Sequence, residues 1–470
     1  LYMRNRLKVL SEFILTSLPM TLHALEQSRP NLITIVTDDQ GQWAMGAYGN
    51  TEIHTPAMDR IASEGALFSN AMVVSPVCSP ARATWFTGRY PTELGITEWI
   101  HPVEADEGLG MDHATWAEVL QDNGYVTAMI GKWHLGSRPQ YHPTKKGFDY
   151  FMGFLDGGNK PMNAILEVNG KEQVVEGPLP DVLTDAALEW LKTQDEKPFA
   201  LSLHFRAPHL AYTPVPKEDS AHYTDLDPTI PQFRGMDEAK VKASTKAYYG
   251  SISSVDRNIA RLLDYLDKSG LTQNTIVLFT SDHGYNEGRH GVNTKGNGQW
   301  IAGGVSGPKR PNMWDTSLKV PLAIRWPGVI KAGHTSDAMV SNLDMYRTVL
   351  GMTGIAMPKR SKIHGVDFTP ELKGGHIENP QRELFGQYDL HNNGLAYMRM
   401  IRSENYKYIR FFHVNGLDEL YDLKKDPDEK NNLYRKTIAQ GDPDGLLASF
   451  QDKLLTQMKA INDPLLKDRY

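Results

Sequence analysis

Asn31-Leu32-Ile33-Thr34-Ile35-Val36-Thr37-Asp38-Asp39 decides how the rest of this chain is read. Seven residues rich in apolar and β-branched side chains predict a buried strand. The run stops at two adjacent carboxylates. The same order recurs downstream. Residues 125–130 run into Gly131-Lys132-Trp133-His134, residues 199–204 lead to Arg206-Ala207-Pro208-His209, and residues 275–280 run into Ser281-Asp282-His283-Gly284. Helical patterns lie between them. One covers 55–64, with Thr55 as N-cap and Pro56 in first position; another covers 115–123; a long amphipathic one falls within 240–269. A further strand is predicted at 320–326. Strand, polar cluster and helix in repetition predict an α/β fold, with a large, mostly parallel sheet sandwiched by helices. Ligands of such sheets bind beyond the carboxyl ends of the strands, which is where the polar clusters fall.

Near residue 360 the texture changes. Short apolar runs at 384–388, 396–401, 406–412 and 419–423 predict antiparallel strands, and 446–461 predicts a closing helix. A smaller C-terminal α+β subdomain over 376–470, beside a main domain over 29–375, is the expected division. Residues 296–312, rich in Gly, Pro and basic side chains, predict a loop insertion near the site. The 470 residues carry 50 Lys and Arg against 56 Asp and Glu, a net charge of -6. That balance argues against a nucleic-acid surface. No stretch is long and apolar enough for an integral membrane segment. Residues 3–8 are basic, 9–22 mostly apolar, and Leu22-His23-Ala24 fits the approach to a cleavage site. This pattern over 1–28 resembles a secretory signal and predicts a periplasmic or secreted protein. Glu12 and His23 interrupt it, and an amphipathic N-terminal helix is the competing reading.

Two neighbouring anions at a strand end need a cation or donors to compensate them. Asp38 and Asp39 end one strand and Asp282-His283 another, so three carboxylates and an imidazole predict a divalent-metal cage. The oxygen-rich set suits calcium or magnesium; the imidazole admits manganese or zinc. Cys78 is the single cysteine, so it forms no internal disulfide. Alone, it would read as a small buried apolar residue. Its setting is Cys78-Ser79-Pro80-Ala81-Arg82, then Thr87-Gly88-Arg89. If Cys78 begins a helix, Pro80 suits the first turn, Arg82 shares its face, and the helix N-terminus favours an anion.

Cys-x-Pro-x-Arg-x4-Thr-Gly-Arg resembles the modification motif of the type I sulfatase family, in which the cysteine is oxidised to formylglycine. The ending also resembles the family's: Glu419-Leu420-Tyr421-Asp422-Leu423, then Asp426-Pro427-Asp428-Glu429 and Asn431-Asn432-Leu433. The resemblance covers nearly the whole chain and implies the alkaline-phosphatase-like fold. It implies metal ligation by Asp38, Asp39, Asp282 and His283, where many family members have Asn at the last position. The ion it implies is Ca2+, approached also by the modified Cys78. It assigns Arg82 to the reactive hydroxyl, Lys132 to the sulfate and nucleophile, His134 to the base of the second half-reaction, and His209 to the leaving-group side, with His204 as a competitor that fits packing better. The family's catalytic lysine matches Lys295 by spacing; Lys319 is the alternative.

The implied activity is hydrolysis of a sulfate monoester, with a sulfated carbohydrate as the favoured substrate. The implied maturation partner is a formylglycine-generating enzyme or an anaerobic sulfatase-maturating enzyme. His101, Arg138, His290 and Trp300 are the substrate-binding candidates, joined by Trp43, Tyr48, Trp99 and Tyr212. An aryl sulfatase, a phosphodiester or phosphonate monoester hydrolase on the same fold, and a non-catalytic sulfated-glycan binder are the alternatives.

Overall fold

A computed structural model describes residues 29–104, 106–301, 309–359, 362–380, 382–392, 394–412 and 417–467. The signal-like stretch 1–28 and part of the 296–312 insertion lie outside them.

The strand Asn31–Asp38 is the middle of the sheet and is buried along its whole length. Side chains of a strand alternate between faces, and here both faces are covered. Leu32 and Val36 belong to one core and Ile33 and Ile35 to the other, each at most 2% exposed. Helices Pro56–Ser63, Leu179–Lys192 and Glu238–Ser269 supply the second core; helices Cys78–Thr87, Trp116–Asp122 and Met345–Thr353 supply the first. A strand buried on both faces has no polar alternation to show, which is why it reads as one apolar run.

The sheet has ten strands, in the order His334–Ser336, Ala66–Phe68, Leu322–Arg325, Thr275–Ser281, Asn31–Asp38, Phe199–Pro208, Val126–Lys132, Tyr150–Phe154, Met162–Val168 and Lys171–Pro178. The five from Thr275–Ser281 to Tyr150–Phe154 run parallel. Leu322–Arg325 joins one flank antiparallel, and the hairpin Met162–Val168 with Lys171–Pro178 extends the other. Parallel pairing in matched register puts four carboxyl ends side by side, those of Asp38, Lys132, Pro208 and Ser281.

The four C-terminal strands, Leu384–Leu390, Ala396–Arg402, Tyr406–Phe411 and Glu419–Asp422, form a separate antiparallel sheet in chain order. Helix Leu446–Ala460 packs on it through Leu447, Phe450, Leu454 and Met458. The first of these strands docks on the main body: Gln387 donates from its backbone to the Val74 carbonyl at 2.8 Å, four residues before Cys78. Buried Arg399 holds Asp389 at 2.6 Å and Asp463 at 2.5 Å, tying the strands to the chain beyond the last helix. Among the described residues no helix is long and apolar enough to cross a membrane.

Candidate active site

Cys78 is the first residue of a ten-residue helix that is buried from end to end. The helix N-terminus therefore faces a low-dielectric interior, where its partial positive charge is little screened. Cys78 Sγ lies 3.7 Å from Asp38 Oδ1 and receives Lys295 Nζ at 3.0 Å. Lys295 also holds Asp39 Oδ1 at 2.6 Å, and Lys132 Nζ holds Asp38 Oδ2 at 2.5 Å. Burial pushes the Cys78 thiol up, but Lys132 and Lys295 outweigh it and hold the group well below its usual range. Burial likewise opposes ionisation of Asp38, yet Lys132, His209, Lys295 and Arg82 keep it well below the usual carboxylate range.

Each of these side chains is delivered by a strand end or a tight backbone contact. Asp39 and His134 both adopt left-handed backbone, at φ 72 and φ 59, a strain that non-glycine residues show mainly where the surroundings enforce it. Lys132 can reach Asp38 because Gly131 lets two strands close up. A β-carbon there would meet the His204 carbonyl oxygen at 1.9 Å. Lys295 is fixed by its neighbour Gly296, whose backbone N–H donates to Pro76 O at 3.1 Å and where a β-carbon would meet Pro76 Cγ at 2.3 Å. The insertion is thus pinned two residues from Cys78. Lys319 instead lies 3.5 Å from Asp315 and lines a different cleft, so Lys295 is the lysine at the cysteine.

Arg82 passes beneath the cluster. It donates from Nε to Asp282 Oδ2 at 3.0 Å, and from Nη1 to the Lys132 carbonyl at 3.1 Å. The same Nη1 lies 3.1 Å from His204 Nδ1. His204 is fully buried and stacked on Phe86 at 5.6 Å, a packing position. His134 is anchored through Nε2 to the Ile100 carbonyl at 3.0 Å, and among the described residues its Nδ1 has no hydrogen-bond partner. Burial and Lys132 push this imidazole down, while Cys78 pulls it back up. His209, partly exposed, points Nε2 towards Asp39 Oδ2 at 3.9 Å and places Nδ1 2.8 Å from the Leu210 carbonyl.

The donor set fits a divalent cation. Ligand-type atoms of Asp38, Cys78, Asp282 and His283 all lie within 4.8 Å of one another, as do those of Asp38, Asp39, Cys78 and His209. His283 Nδ1 meets the Gly284 carbonyl at 2.9 Å, which leaves Nε2 as the ligating nitrogen. Among the described residues that buried Nε2 has no hydrogen-bond partner, although Asp39 Oδ1 is 3.2 Å away, Asp282 Oδ1 3.3 Å and Asp38 Oδ1 4.0 Å. Burial disfavours charge on this ring, yet Asp282 holds its affinity for a proton above the usual value, so Nε2 facing three carboxylate oxygens calls for positive charge, from a proton or from a metal ion. Asp282 shows the same shortage of positive charge: burial and Asp38 push it up to about 6 despite His283 and Arg82.

The substrate-binding candidates separate. His101 follows Ile100 and lies 4.9 Å from the Trp99 ring, beside the segment that holds His134. Arg138 pairs with Asp106 at the surface. His290 stacks on Trp314 at 4.0 Å, and Trp300 lies beside Phe233; both line a cleft that contains none of the cysteine's partners. Trp43, Tyr48 and Tyr212 are structural: Trp43 stacks on Tyr248, Tyr48 bonds the Phe68 carbonyl, and Tyr212 bonds Tyr285 and Glu287.

Sequence reasoning missed Glu98 and Tyr388. Glu98 is 2% exposed and accepts from Tyr388 Oη at 3.2 Å and from the Trp99 backbone at 3.1 Å. Two residues on, Ile100 donates its backbone N–H to Ser79 Oγ at 3.0 Å, and its carbonyl holds His134 Nε2. Burial outweighs the hydrogen bonds from Trp99 and Tyr388 and pushes Glu98 up to about 8. Its folded value therefore exceeds its unfolded one, so its contribution to stability is whole below the ordinary carboxylate range and is lost as pH rises through about 8. Glu98→Gln, which cannot ionise, should melt progressively higher relative to the parent as pH rises from 6 to 9. A constant gap between the two melting curves would contradict this.

The strands and the site match known proteins as follows. A family model described as Sulfatase matches residues 30–355, and one described as N-sulphoglucosamine sulphohydrolase, C-terminal, matches 308–459. The chain is 30% identical over 497 aligned positions to an N-acetylglucosamine-6-O-sulfatase of Bacteroides thetaiotaomicron, covering 87% of this chain and 84% of that one. It is 28% identical to human steryl-sulfatase, covering 86% and 84%. A solved structure of a protein in complex with its substrate D-glucosamine-2-N,6-O-disulfate superimposes with a TM-score of 0.80 at 28% identity, covering 94% of this chain and 100% of the other.

Proposed function

The chain belongs to the sulfatase family, and from that premise we propose that it hydrolyses the sulfate monoester of a sulfated carbohydrate to free alcohol and inorganic sulfate. The observation that carries this reading is Cys78 at a buried helix N-terminus, with Lys295 at 3.0 Å and Lys132 drawn in through Asp38. Sulfate esters are anions, and a nucleophile ringed by ammonium groups is built to receive one. The similarity to an N-acetylglucosamine-6-O-sulfatase and to the complex with a disulfated glucosamine supports a sugar as the alcohol.

The family implies a metal ion and formylglycine, and the residues present fit both. Asp38, Asp39, Asp282 and His283 would hold the ion; three carboxylates favour a hard cation, most simply Ca2+. When present, the ion polarises oxygen, and the hydrated aldehyde at position 78 supplies an attacking hydroxyl and a second one whose loss of a proton releases sulfate. A formylglycine-generating or anaerobic sulfatase-maturating enzyme would supply that aldehyde. Such enzymes and anionic glycans fit a periplasmic or secreted protein.

The chain's own side chains do the rest. Lys132 and Lys295 hold sulfate oxygens. Arg82, bonded to Asp282, fixes the floor of the cluster. His134 Nδ1, unbonded beside the cysteine, accepts a proton from the side chain at position 78. Burial pushes the His209 imidazole down while Asp39 and Asp38 pull it back up; once protonated, it gives its Nε2 proton to the leaving oxygen. In balance, ester and water give alcohol and hydrogen sulfate, which ionises.

The test is turnover of defined 6-sulfated and 2-N-sulfated sugars beside an aryl sulfate; good aryl turnover with none on any sugar would remove the carbohydrate reading. His209→Ala tests its acid role through the leaving group. A sugar alkoxide needs protonation and a nitrophenolate does not, so kcat should fall about 10²-fold or more on the sugar and far less on the aryl ester. Equal losses would assign His209 to something other than proton donation.

A further inference from the structure

A cleft of ≈ 860 Å³ lies outside the cysteine's surroundings, walled by the loop at 229–234, the hairpin around residues 289–300, Trp314 and the loop at 427–430. Aromatic and cationic side chains alternate along it. Phe233 is 42% exposed, and its ring centroid lies 6.4 Å from that of Trp300. Arg310 reaches over Trp314 at 5.0 Å. His290 stacks on the same ring; burial, Lys407 and Arg310 push it down to about 4, so it is neutral and the cleft's positive charge comes from guanidinium groups.

The charges do not cancel. Asp428 is paired with Lys430 at 2.7 Å, and Glu429 with Lys407 at 2.6 Å, while Arg310 pairs with Glu419 at 2.7 Å. Arg234, which is exposed, and Arg289, which lies 3.6 Å above the Trp43 ring, form no ion pair among the described residues. Arg289 is committed to that ring and to the Asn286 carbonyl, to which its Nη1 donates at 3.2 Å, so the cleft offers one uncommitted guanidinium group, Arg234, beside the rings of Phe233 and Trp300, and its carboxylates are already paired. Guanidinium groups match carboxylate and sulfate oxygens in pairs, and aromatic faces suit the apolar face of a sugar ring. The strand Gln299–Trp300 pairs antiparallel with Val292–Asn293, and Lys295 lies in the turn between them. One short hairpin thus carries Lys295 to the cysteine and Trp300 to the cleft.

We propose that this cleft is a second subsite, which holds a carboxylate- or sulfate-bearing sugar unit of the same oligosaccharide whose sulfate ester is cleaved at Cys78. The inference rests on the carbohydrate-sulfatase reading and deepens it: the substrate is an anionic oligosaccharide, and a single sulfated sugar fills only part of the site.

The double variant Phe233→Ala/Arg234→Ala tests it, because both side chains are exposed and lie outside the catalytic cluster. Its kcat/KM should fall about tenfold or more on a sulfated tetrasaccharide and stay within about twofold on the matching sulfated monosaccharide. Equal losses on both, or no loss on the tetrasaccharide, would overturn the proposal. Should the parent turn over neither sugar while cleaving an aryl sulfate, the carbohydrate reading fails by itself. The cleft is then tested by calorimetry on Cys78→Ala protein with the sulfated tetrasaccharide and a neutral tetrasaccharide. Binding of the anionic one alone, weakened by the double variant, upholds the cleft as an anionic-glycan site. Equal binding of both sugars, no binding, or binding unchanged by the variant overturns it.

Discussion

Cys78→Ala protein should fold like its parent and lose turnover of sulfate esters by about 10⁶-fold, the scale seen when a covalent nucleophile is removed. The folding half of the expectation follows from size. The change deletes one buried atom at the start of a helix whose other nine residues stay packed, a cavity cost of about 1 kcal/mol. It also leaves Lys295 with Asp39, at 2.6 Å, so no charge is stranded. The catalytic half follows from position. Cys78 is the single cysteine of the chain, and the neighbouring Ser79 is committed to the Ile100 backbone. The companion measurement is the intact mass of the peptide containing Cys78 in active protein, which should be lower by about 18 Da, an aldehyde in place of a thiol. Fully active protein with an unmodified thiol would reject the formylglycine nucleophile. Inactive protein with an unmodified thiol would mean that maturation had failed, and co-expression with a maturating enzyme should then restore both mass shift and turnover.

The sequence revealed those parts of the fold whose signal is local. The strand at 31–38 is buried on both faces, and an unbroken apolar run ending in carboxylates has few other readings. The predicted helices at 55–64, 115–123 and 446–461 correspond to Pro56–Ser63, Trp116–Asp122 and Leu446–Ala460, and the first begins at the expected Thr55 and Pro56. The hairpin Met162–Val168 with Lys171–Pro178 was missed because its outer strand is mostly exposed and carries no apolar face. Its turn, Asn169-Gly170, with φ 52 and φ 75, was the available signal. The cluster around Cys78 was legible because most of its members sit at strand ends or on the first turns of a helix, whereas Lys295, in a hairpin turn, was placed by spacing alone. Glu98 and Tyr388 were not, because 290 residues separate them and neither lies in a local pattern. His290 and Trp300 were placed near the right loop, but periodicity says nothing about which side of a hairpin faces the cysteine.

Chelation should abolish turnover, and calcium should restore it, for a reason visible in the charges alone. Asp38, Asp39 and Asp282, all buried, converge on the buried His283 Nε2. Lys132 neutralises the far side of Asp38 and Arg82 that of Asp282, while Lys295 shares with His283 the Oδ1 of Asp39. The near sides remain turned towards one another, and Asp282 is pushed up to about 6 by burial and Asp38. A divalent ion at that centre removes the repulsion, and by mass action it stabilises the folded chain. At a free concentration 100 times Kd the gain is about 2.7 kcal/mol. Spread over an unfolding entropy of about 2.1 cal/mol/K per residue, that is a rise in Tm of about 3 °C for a chain of 470 residues. Excess chelator should reverse both effects, and calcium should return them more fully than zinc, because three of the four protein ligands are carboxylates. His283→Ala should remove the calcium-dependent rise in Tm while sparing the sheet, since its ring contributes one bond to the Gly284 carbonyl and otherwise faces the ligands. Full turnover in excess chelator, with an unchanged melting curve, would show that Lys132, Lys295 and Arg82 balance the cluster without an ion.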